Sequence, residues 1–242
     1  MKIYTKKEKI KYLNVDKNNQ LTNKAIIDIM QNTAGEHTDL NGDGLKDKEK
    51  THMAWLALNW KVKVFTRPSY GKTLEAKTWI KKTEHCCSWR EFEIYCGKKL
   101  VAIADSRWVL TNTESCKIIK VPEIFIEKYS PKGKGVFEEA LQEKIKEPQN
   151  LKLAYEETIG RTKIDTNNHL NNLYYLDFAI ESLPEEIYEN TNFSNIQIMY
   201  KKQVKYKDTV KCFYAQENNK HIVVIKSENE KTLHAIVELY NE

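Results

Sequence analysis

Residues 15–23 read VDKNNQLTN, and residues 164–172 read IDTNNHLNN. Each segment leads into a stretch whose apolar residues recur at helical spacing, and Asp28 in the first stretch corresponds to Asp177 in the second. A motif that recurs together with the helix behind it indicates an internal duplication. The sequence therefore predicts two domains that share one fold.

Strand-like segments follow each predicted helix. In these segments β-branched and aromatic residues alternate with polar ones between turn residues, which favours antiparallel strands and hairpins. The segments are residues 53–65, 73–84, 88–97 and 99–112 in the first copy, and 195–206, 208–219, 221–230 and 232–241 in the second. One helix followed by about four antiparallel strands, twice, predicts an α+β protein in which a curved sheet covers a helix in each domain.

The predicted domains are separated by a stretch rich in proline, glycine and charge. We expect an N-terminal domain at residues 1–125, a connector at 126–150 and a C-terminal domain at 151–242, with part of the connector helical around 137–145. All five tryptophans precede the connector. The two domains therefore share a predicted fold but differ in their interior side chains, which predicts that they have different functions.

The charge and hydropathy of the chain limit the partners and the location that we expect for it. The 242 residues carry a formal net charge of +5, and only four of the 39 basic residues are arginines. Arginine is the usual residue for bidentate contacts to nucleic acid, so no nucleic-acid partner is expected. Spread lysines suit an acidic partner such as a carrier protein, or form an ordinary solvated surface. No apolar run is long enough to span a membrane, and no signal-peptide pattern opens the chain, so we expect a cytoplasmic protein.

Cysteine spacing and acidic clusters predict no metal site. The five cysteines form no CxxC pair, and their odd number in a cytoplasmic protein favours reduced thiols. Residues 39–47 imitate a calcium-binding loop, but Lys50 stands where the bidentate glutamate is required. We expect a flexible loop there instead.

The repeated motif contains the densest set of reactive side chains. Asp165, Asn167 and His169 alternate, which predicts that all three lie on one side of an extended stretch. They supply a base, a hydrogen-bonding amide and a group that titrates near neutral pH, and the helix behind them would direct free N–H groups to the same place. This combination suits hydrolysis of an ester or thioester. The alternative is a helix-capping turn, because the first copy has Gln20 at the position of His169 and still keeps the acid and the amide.

The D-x-N-x-H-x-N-N motif on a duplicated helix-and-sheet unit resembles the acyl-acyl carrier protein thioesterases, the double hotdog proteins of plant plastids and bacteria. The resemblance covers nearly the whole chain and includes residues 56–80, LALNWKVKVFTRPSYGKTLEAKTWI. It implies two tandem hotdog domains, each an antiparallel sheet wrapped around a central helix. It also implies hydrolysis of fatty acyl thioesters on acyl carrier protein to free fatty acid and carrier-protein thiol, with no cofactor or metal.

Carried over by position, the resemblance also suggests the site residues. The catalytic set is Asp165, Asn167, His169 and Gln203, the last replacing a glutamate that the family often has on the next central strand. Gln203 can orient water or a carbonyl, but it cannot accept a proton at neutral pH. In this family the first domain supplies much of the acyl tunnel, so the residues expected to bind substrate are Trp55, Trp60 and His37, with a core position as the alternative for each.

The expected mechanism places the thioester carbonyl at the N-terminus of a helix that begins around Leu170. Asp165 is the general base or the nucleophile, His169 orients the attacking group or protonates the departing thiol, and Asn167 fixes the water or the carbonyl. The rivals are an acyl-CoA thioesterase, a dehydratase of the same fold, and a binding protein without activity. We expect a monomer or a homodimer.

Overall fold

The computed structural model describes residues 3–131 and 133–241. The chain divides into two compact units, Met1–Leu141 and Gln142–Glu242. Each unit combines one antiparallel sheet with a helix that packs on it, as the duplication predicts.

The described part of the first unit contains five strands and three α-helices. The strands are β1 Tyr4–Lys9, β2 Met53–Val64, β3 Thr73–Glu84, β4 Cys87–Cys96 and β5 Lys99–Asn112, and the helices are α1 Asn23–Asn41, α2 Lys48–Thr51 and α3 Glu123–Tyr129. The strands lie in the order β1-β3-β4-β5-β2, and every neighbouring pair is antiparallel.

The long helix α1 is defined by its ends and by one apolar face. The Ala25 N–H donates to Oγ1 of Thr22 at 3.1 Å, which satisfies a donor of the first turn. Gly42 ends the helix with a φ of 82°, a conformation that glycine adopts without strain. The buried side chains recur every three to four residues and form the face that packs on the sheet: Ala25, Ile26, Ile27, Ile29, Met30, Thr33, Ala34, His37 and Asn41.

The second unit repeats this plan with shorter helices. Its described elements are β6 Lys152–Thr158, α4 Tyr174–Glu181, α5 Glu185–Asn190, β7 Asn195–Tyr200, β8 Thr209–Glu217, β9 Lys220–Ser227 and β10 Leu233–Tyr240. The strands lie in the order β7-β10-β9-β8-β6 and are antiparallel throughout. One hydrophobic cluster of this unit consists of residues of β7, β9 and β10 together with Ile145, and α4 buries Tyr175, Leu176, Phe178 and Ala179.

Most strand predictions agree with the structure, but three expectations were wrong. Strands β1 and β6 were missed, because charged residues conceal the apolar alternation of strands that lie at a sheet edge. Residues 137–145, all of which the structure describes, contain no helix, and α3 lies earlier in the chain. Residues 201–206 follow β7 as irregular chain and not as strand.

Candidate functional site

The candidate site is a closed turn in the second unit. Oδ1 of Asp165 accepts from the backbone N–H of Asn167 at 2.7 Å and of His169 at 3.3 Å. The Asp165 N–H donates to the His169 carbonyl at 2.8 Å, and Asn168 has a φ of 61°. The predicted extended stretch was therefore wrong. An aspartate side chain readily bonds to backbone two residues ahead, and this local bond overrides the alternation.

The first unit contains the same turn. Oδ1 of Asp16 accepts from the N–H groups of Asn18 and Gln20, both at 2.9 Å, and Asn19 has a φ of 59°. The shared turn of the alternative interpretation is thus present in both copies, but its aspartate caps neither helix, since the N-cap residues are Thr22 and Leu173. His169 occupies the position of Gln20 and is the ionisable group that the second turn has in addition.

The backbone of the second turn is already hydrogen-bonded. The N–H groups of residues 167–171 all donate within the molecule: those of 167 and 169 to Oδ1 of Asp165, that of 168 to its carbonyl, and the last two to the carbonyls of Val204 and Lys163. Helix α4 begins at Tyr174 and not around Leu170. The free N–H groups expected near Leu170 are therefore not present at residues 167–171.

Tyr175, which is buried, and Tyr200, which is partly buried, lie close to the turn, and the sequence interpretation missed both. The rings of Tyr175 and Tyr200 meet edge to face with centroids 5.3 Å apart, and the Tyr200 hydroxyl donates to the Asn172 carbonyl at 3.1 Å. Burial raises the pKa of both phenols, and the charge of Asp165 raises that of Tyr175 further. The corresponding positions in the first unit are Ile26 and Val64. A residue-by-residue comparison of the two copies would have found them.

The structure brings the segment of Gln203 to the turn but leaves its side chain exposed. The neighbouring Val204 accepts from the Leu170 N–H at 2.8 Å, so the two segments touch through the backbone. Gln203 lies in irregular chain after β7, so its expected position on a strand was wrong. Nearby, Nδ1 of the buried His234 lies 3.0 Å from the Lys202 carbonyl, a contact that no motif indicated.

The three residues expected to bind substrate lie in the first unit. His37 has no exposed surface, its ring stacks on Tyr4 with centroids 5.5 Å apart, and its Nδ1 lies 3.0 Å from the Arg90 guanidinium. Trp55 donates through Nε1 to Oδ2 of Asp43 at 3.0 Å.

Asp43 fixes the loop that resembles a calcium site. Its Oδ1 accepts from the Tyr129 hydroxyl at 2.6 Å, its Oδ2 accepts from Trp55, and burial raises its pKa. The side chain points into the unit and not towards a cation. Asp43 is a buried anchor of this segment, and the flexibility of the loop stays a prediction.

Trp60 lies in a different part of the first unit. Only 1% of its surface is exposed, and its ring packs on Phe92 and Trp108 at centroid distances of 5.2 and 5.8 Å. His37 and Trp55 are joined through Asp43 and Tyr129, whose ring meets that of His37 at 5.0 Å, whereas Trp60 belongs to the sheet core. A role in binding an acyl chain stays a prediction for all three.

No group of three or more histidine, cysteine, aspartate or glutamate side chains in 3–131 and 133–241 is arranged to hold a metal ion. Within those same ranges, no helix has both the length and the apolar character that a membrane crossing requires.

Comparison with known proteins gives one consistent family. The model of the acyl-ACP thioesterase N-terminal domain matches residues 1–129, and that of the C-terminal domain matches residues 142–239. The chloroplastic oleoyl-acyl carrier protein thioesterase of Coriandrum sativum is 23% identical over 240 residues, which cover 92% of this chain. The match covers 65% of that protein, so the chain spans less than two thirds of its plant relative.

Solved structures of similar proteins have the same fold as this chain. An acyl-ACP thioesterase from Bacteroides thetaiotaomicron superposes with a TM-score of 0.88 at 20% identity, over 100% of this chain and 98% of that one. The 12:0-ACP thioesterase from Umbellularia californica gives 0.79 at 19% identity, over 98% and 96%. The fold is therefore α+β with two tandem hotdog domains, each an antiparallel sheet around a central helix, and the predicted fold class is confirmed.

Proposed function

The chain belongs to the acyl-ACP thioesterase family, and from that membership we propose that it hydrolyses fatty acyl thioesters on acyl carrier protein. The products are free fatty acid and the carrier-protein thiol. The observation that carries the proposal is the duplicated turn. Its two copies share their backbone bonds, and the second copy has the imidazole of His169 at the position that Gln20 occupies in the first.

Asp165 and His169 divide the proton transfers in this proposal. Oδ1 of Asp165 holds the turn, so its Oδ2 is the atom that takes a proton from the attacking water. The hydroxide adds to the thioester carbonyl carbon, the carbon–sulfur bond breaks, and His169 gives a proton to the departing thiolate. A well-placed acid or base of this kind contributes roughly 100- to 10,000-fold in rate.

Asn167 is the proposed donor to the developing oxyanion. The N–H groups of residues 167–171 are already engaged, and Asn167 is the amide that lies between Asp165 and His169 in the motif. One such donor commonly contributes about 3–4 kcal/mol to the stability of the transition state. The exposed Gln203, two residues after Lys201, is the proposed second amide that orients water.

The duplication offers a matched test. Asp165→Asn keeps an oxygen for the two backbone bonds and removes the base, and Asp16→Asn makes the same change in the first unit. We expect kcat/KM for an acyl-carrier-protein thioester to fall at least about 100-fold in the first variant and to stay within about threefold in the second. His169→Gln copies Gln20 and should also lose at least about 100-fold.

Equal activities of the two aspartate variants would reject catalysis by Asp165, and near-normal turnover by His169→Gln would reject its role as acid. Matched acyl-CoA substrates, assayed in parallel, distinguish the carrier. The division at residues 126–150 and the acyl-chain role of His37, Trp55 and Trp60 are parts of the same proposal. So is a cytoplasmic location, although the plant relative named above is chloroplastic.

A further inference from the structure

A lysine-rich loop follows β7 in the second unit, and its counterpart in the first unit contains no lysine. Residues 201–207 read KKQVKYK, and residues 65–71 read FTRPSYG. The two loops make equivalent backbone hydrogen bonds. In the second unit the Val204 carbonyl accepts from the Leu170 N–H at 2.8 Å, and the Ile159 carbonyl accepts from the Lys207 N–H at 3.0 Å. In the first unit the Pro68 carbonyl accepts from the Leu21 N–H at 3.1 Å, and the Ile10 carbonyl accepts from the Gly71 N–H at 3.0 Å. Since the backbone repeats, the lysines are additions to a shared loop.

The added charges are exposed and uncompensated. Lys201, Lys202, Lys205 and Lys207 all lie on the surface, and within 3–131 and 133–241 none of them is in an ion pair with a carboxylate. Arg161 extends the group, because its Nε donates to the Tyr206 hydroxyl at 3.0 Å. Uncompensated like charges repel one another, so their accumulation in one loop needs a reason outside the fold.

The counterpart loop shows that the fold does not require these charges. Arg67 is its one cation, and it is used internally, donating to the Leu21 carbonyl at 2.9 Å and to Oδ1 of Asn23 at 2.8 Å. An acid also lies close to the lysine loop, since Oδ2 of Asp208 accepts from the Lys205 N–H at 2.8 Å. That bond closes the backbone turn and leaves the Lys205 ammonium group in solvent.

The lysine loop borders the candidate catalytic turn. The Val204 carbonyl, in the middle of the loop, accepts from the N–H of Leu170, which directly follows His169. A partner held by these cations would therefore lie next to the imidazole. This is the position in which a carrier must sit to present its thioester.

We propose that Arg161, Lys201, Lys202, Lys205 and Lys207 form the docking surface for an acidic face of the acyl carrier protein. The proposal rests on the proposed function. The cations are spread along a seven-residue loop and the 3-10 helix Arg161–Lys163, and the N–H groups of Lys201, Lys205 and Lys207 already donate within the protein. A single phosphate is bound by donors that converge on one point, whereas a protein surface is matched by such a distributed array.

Charge reversal tests the surface with a matched control. Lys201→Glu/Lys202→Glu is compared with Lys98→Glu/Lys99→Glu, which reverses two adjacent exposed lysines in the hairpin between β4 and β5. The measured quantity is the ratio of kcat/KM for an acyl-carrier-protein thioester to kcat/KM for the uncharged acyl-pantetheine thioester of the same chain. We expect this ratio to fall at least about tenfold in the first variant and to stay within about twofold in the control.

Lys205→Glu/Lys207→Glu provides a second variant and should lower the ratio in the same direction. Equal ratios in the loop variants and the control would overturn the docking surface. An equal loss for acyl-CoA would overturn it too, since the cations would then bind a phosphate. Failure of the wild type to hydrolyse either thioester would reject the proposed function instead. Titration of the intact protein with acyl carrier protein would still show whether the loop variants bind more weakly than the control.

Discussion

The turns of the two units have the same backbone hydrogen bonds and differ in single side chains. The turns around Asp16 and Asp165 use the same oxygen for the same two backbone bonds, so the fold accounts for the aspartate in both. It does not account for His169, because Gln20 permits the same turn in the first unit. An ionisable group that the backbone does not need, on a scaffold that repeats without it, is the strongest local indication of chemistry in the chain.

A buried carboxylate pair in the first unit has a consequence for stability. Glu91 and Asp105 face each other on β4 and β5 and are almost completely buried, with Nζ of Lys81 at 3.0 and 3.3 Å from them. The Val136 N–H donates to Oε2 of Glu91 at 2.9 Å. Burial first, and then the charge of Asp105, raise the pKa of Glu91 to about 7.

This pair predicts that stability depends on pH. Folded Glu91 keeps its proton up to a pH of about 7, whereas in the unfolded chain the carboxyl loses it near its ordinary pKa of 4.5. The contribution is therefore fully present below pH 4.5 and is lost as the pH rises through 7. The free energy of unfolding should fall by about 1–3 kcal/mol between these values. Glu91→Gln should flatten the dependence in urea titrations, and Glu127→Gln, on the exposed surface of α3, should not. Identical pH profiles for Glu91→Gln and the wild type would contradict this prediction.

Strands and turns decide which residues are available to a substrate. β2 carries both Trp55 and Trp60, yet the first reaches the buried Asp43 and the second packs between aromatic rings of β4 and β5. The register of β2 is irregular between Ala57 and Asn59, so Trp55 and Trp60 pair with Leu110 and Ser106 on one face of the sheet and differ in their position along it. Trp60 accordingly belongs first to the packing of the hotdog sheet.

Trp60→Ala is expected to lower the free energy of unfolding by about 3–5 kcal/mol, because it removes a large side chain that is 1% exposed. Chemical denaturation followed by circular dichroism measures the change. Leu13→Ala, at a side chain that is 89% exposed, is the control and should change stability by less than about 0.5 kcal/mol. Equal stabilities of the two variants would show that Trp60 lines an open space and not a packed core.

The complete chain is held together without covalent cross-links among its cysteines. All five lie in the part that the structure describes and are free thiols. Cys116 is exposed, whereas Cys87 and Cys212 are buried, and burial raises the pKa of Cys212 to about 12. Reduced thiols were expected from the odd number and spacing of the cysteines, and the structure agrees.

Excess dithiothreitol should therefore leave the Tm unchanged to within about 1 °C. A thiol reagent should modify Cys116 in the folded protein and reach Cys212 only after unfolding, since the thiolate is the reactive form. Mass spectrometry of peptides after brief labelling provides the measurement. A fall in Tm on reduction, or rapid labelling of Cys212 in the folded state, would contradict the structure.

Local patterns in the chain were enough to identify the duplication, the sheet strands β3 and β5 at their observed bounds, and His169 as the group that separates the two turns. These features depend on residues a few positions apart, and their spacing is visible in one dimension. The free thiols were also predicted correctly, because the number and spacing of the cysteines are visible in the sequence. The expectations that failed were those in which a side chain competes with the backbone or in which partners are distant in sequence.

Only folding in three dimensions determined the rest. β1 exists as a strand because Tyr4 pairs with Thr78, and its own lysine-rich sequence does not show this. The turn at Asp165 takes up the N–H groups that were expected to bind an oxyanion, because the carbonyl of Val204 arrives from another segment. His37 of α1 is buried because Tyr4 of β1 and Arg90 of β4 pack against it. Hydrogen-bond partners and burial are properties of segments that meet in space, and the spacing of residues along the chain does not contain them.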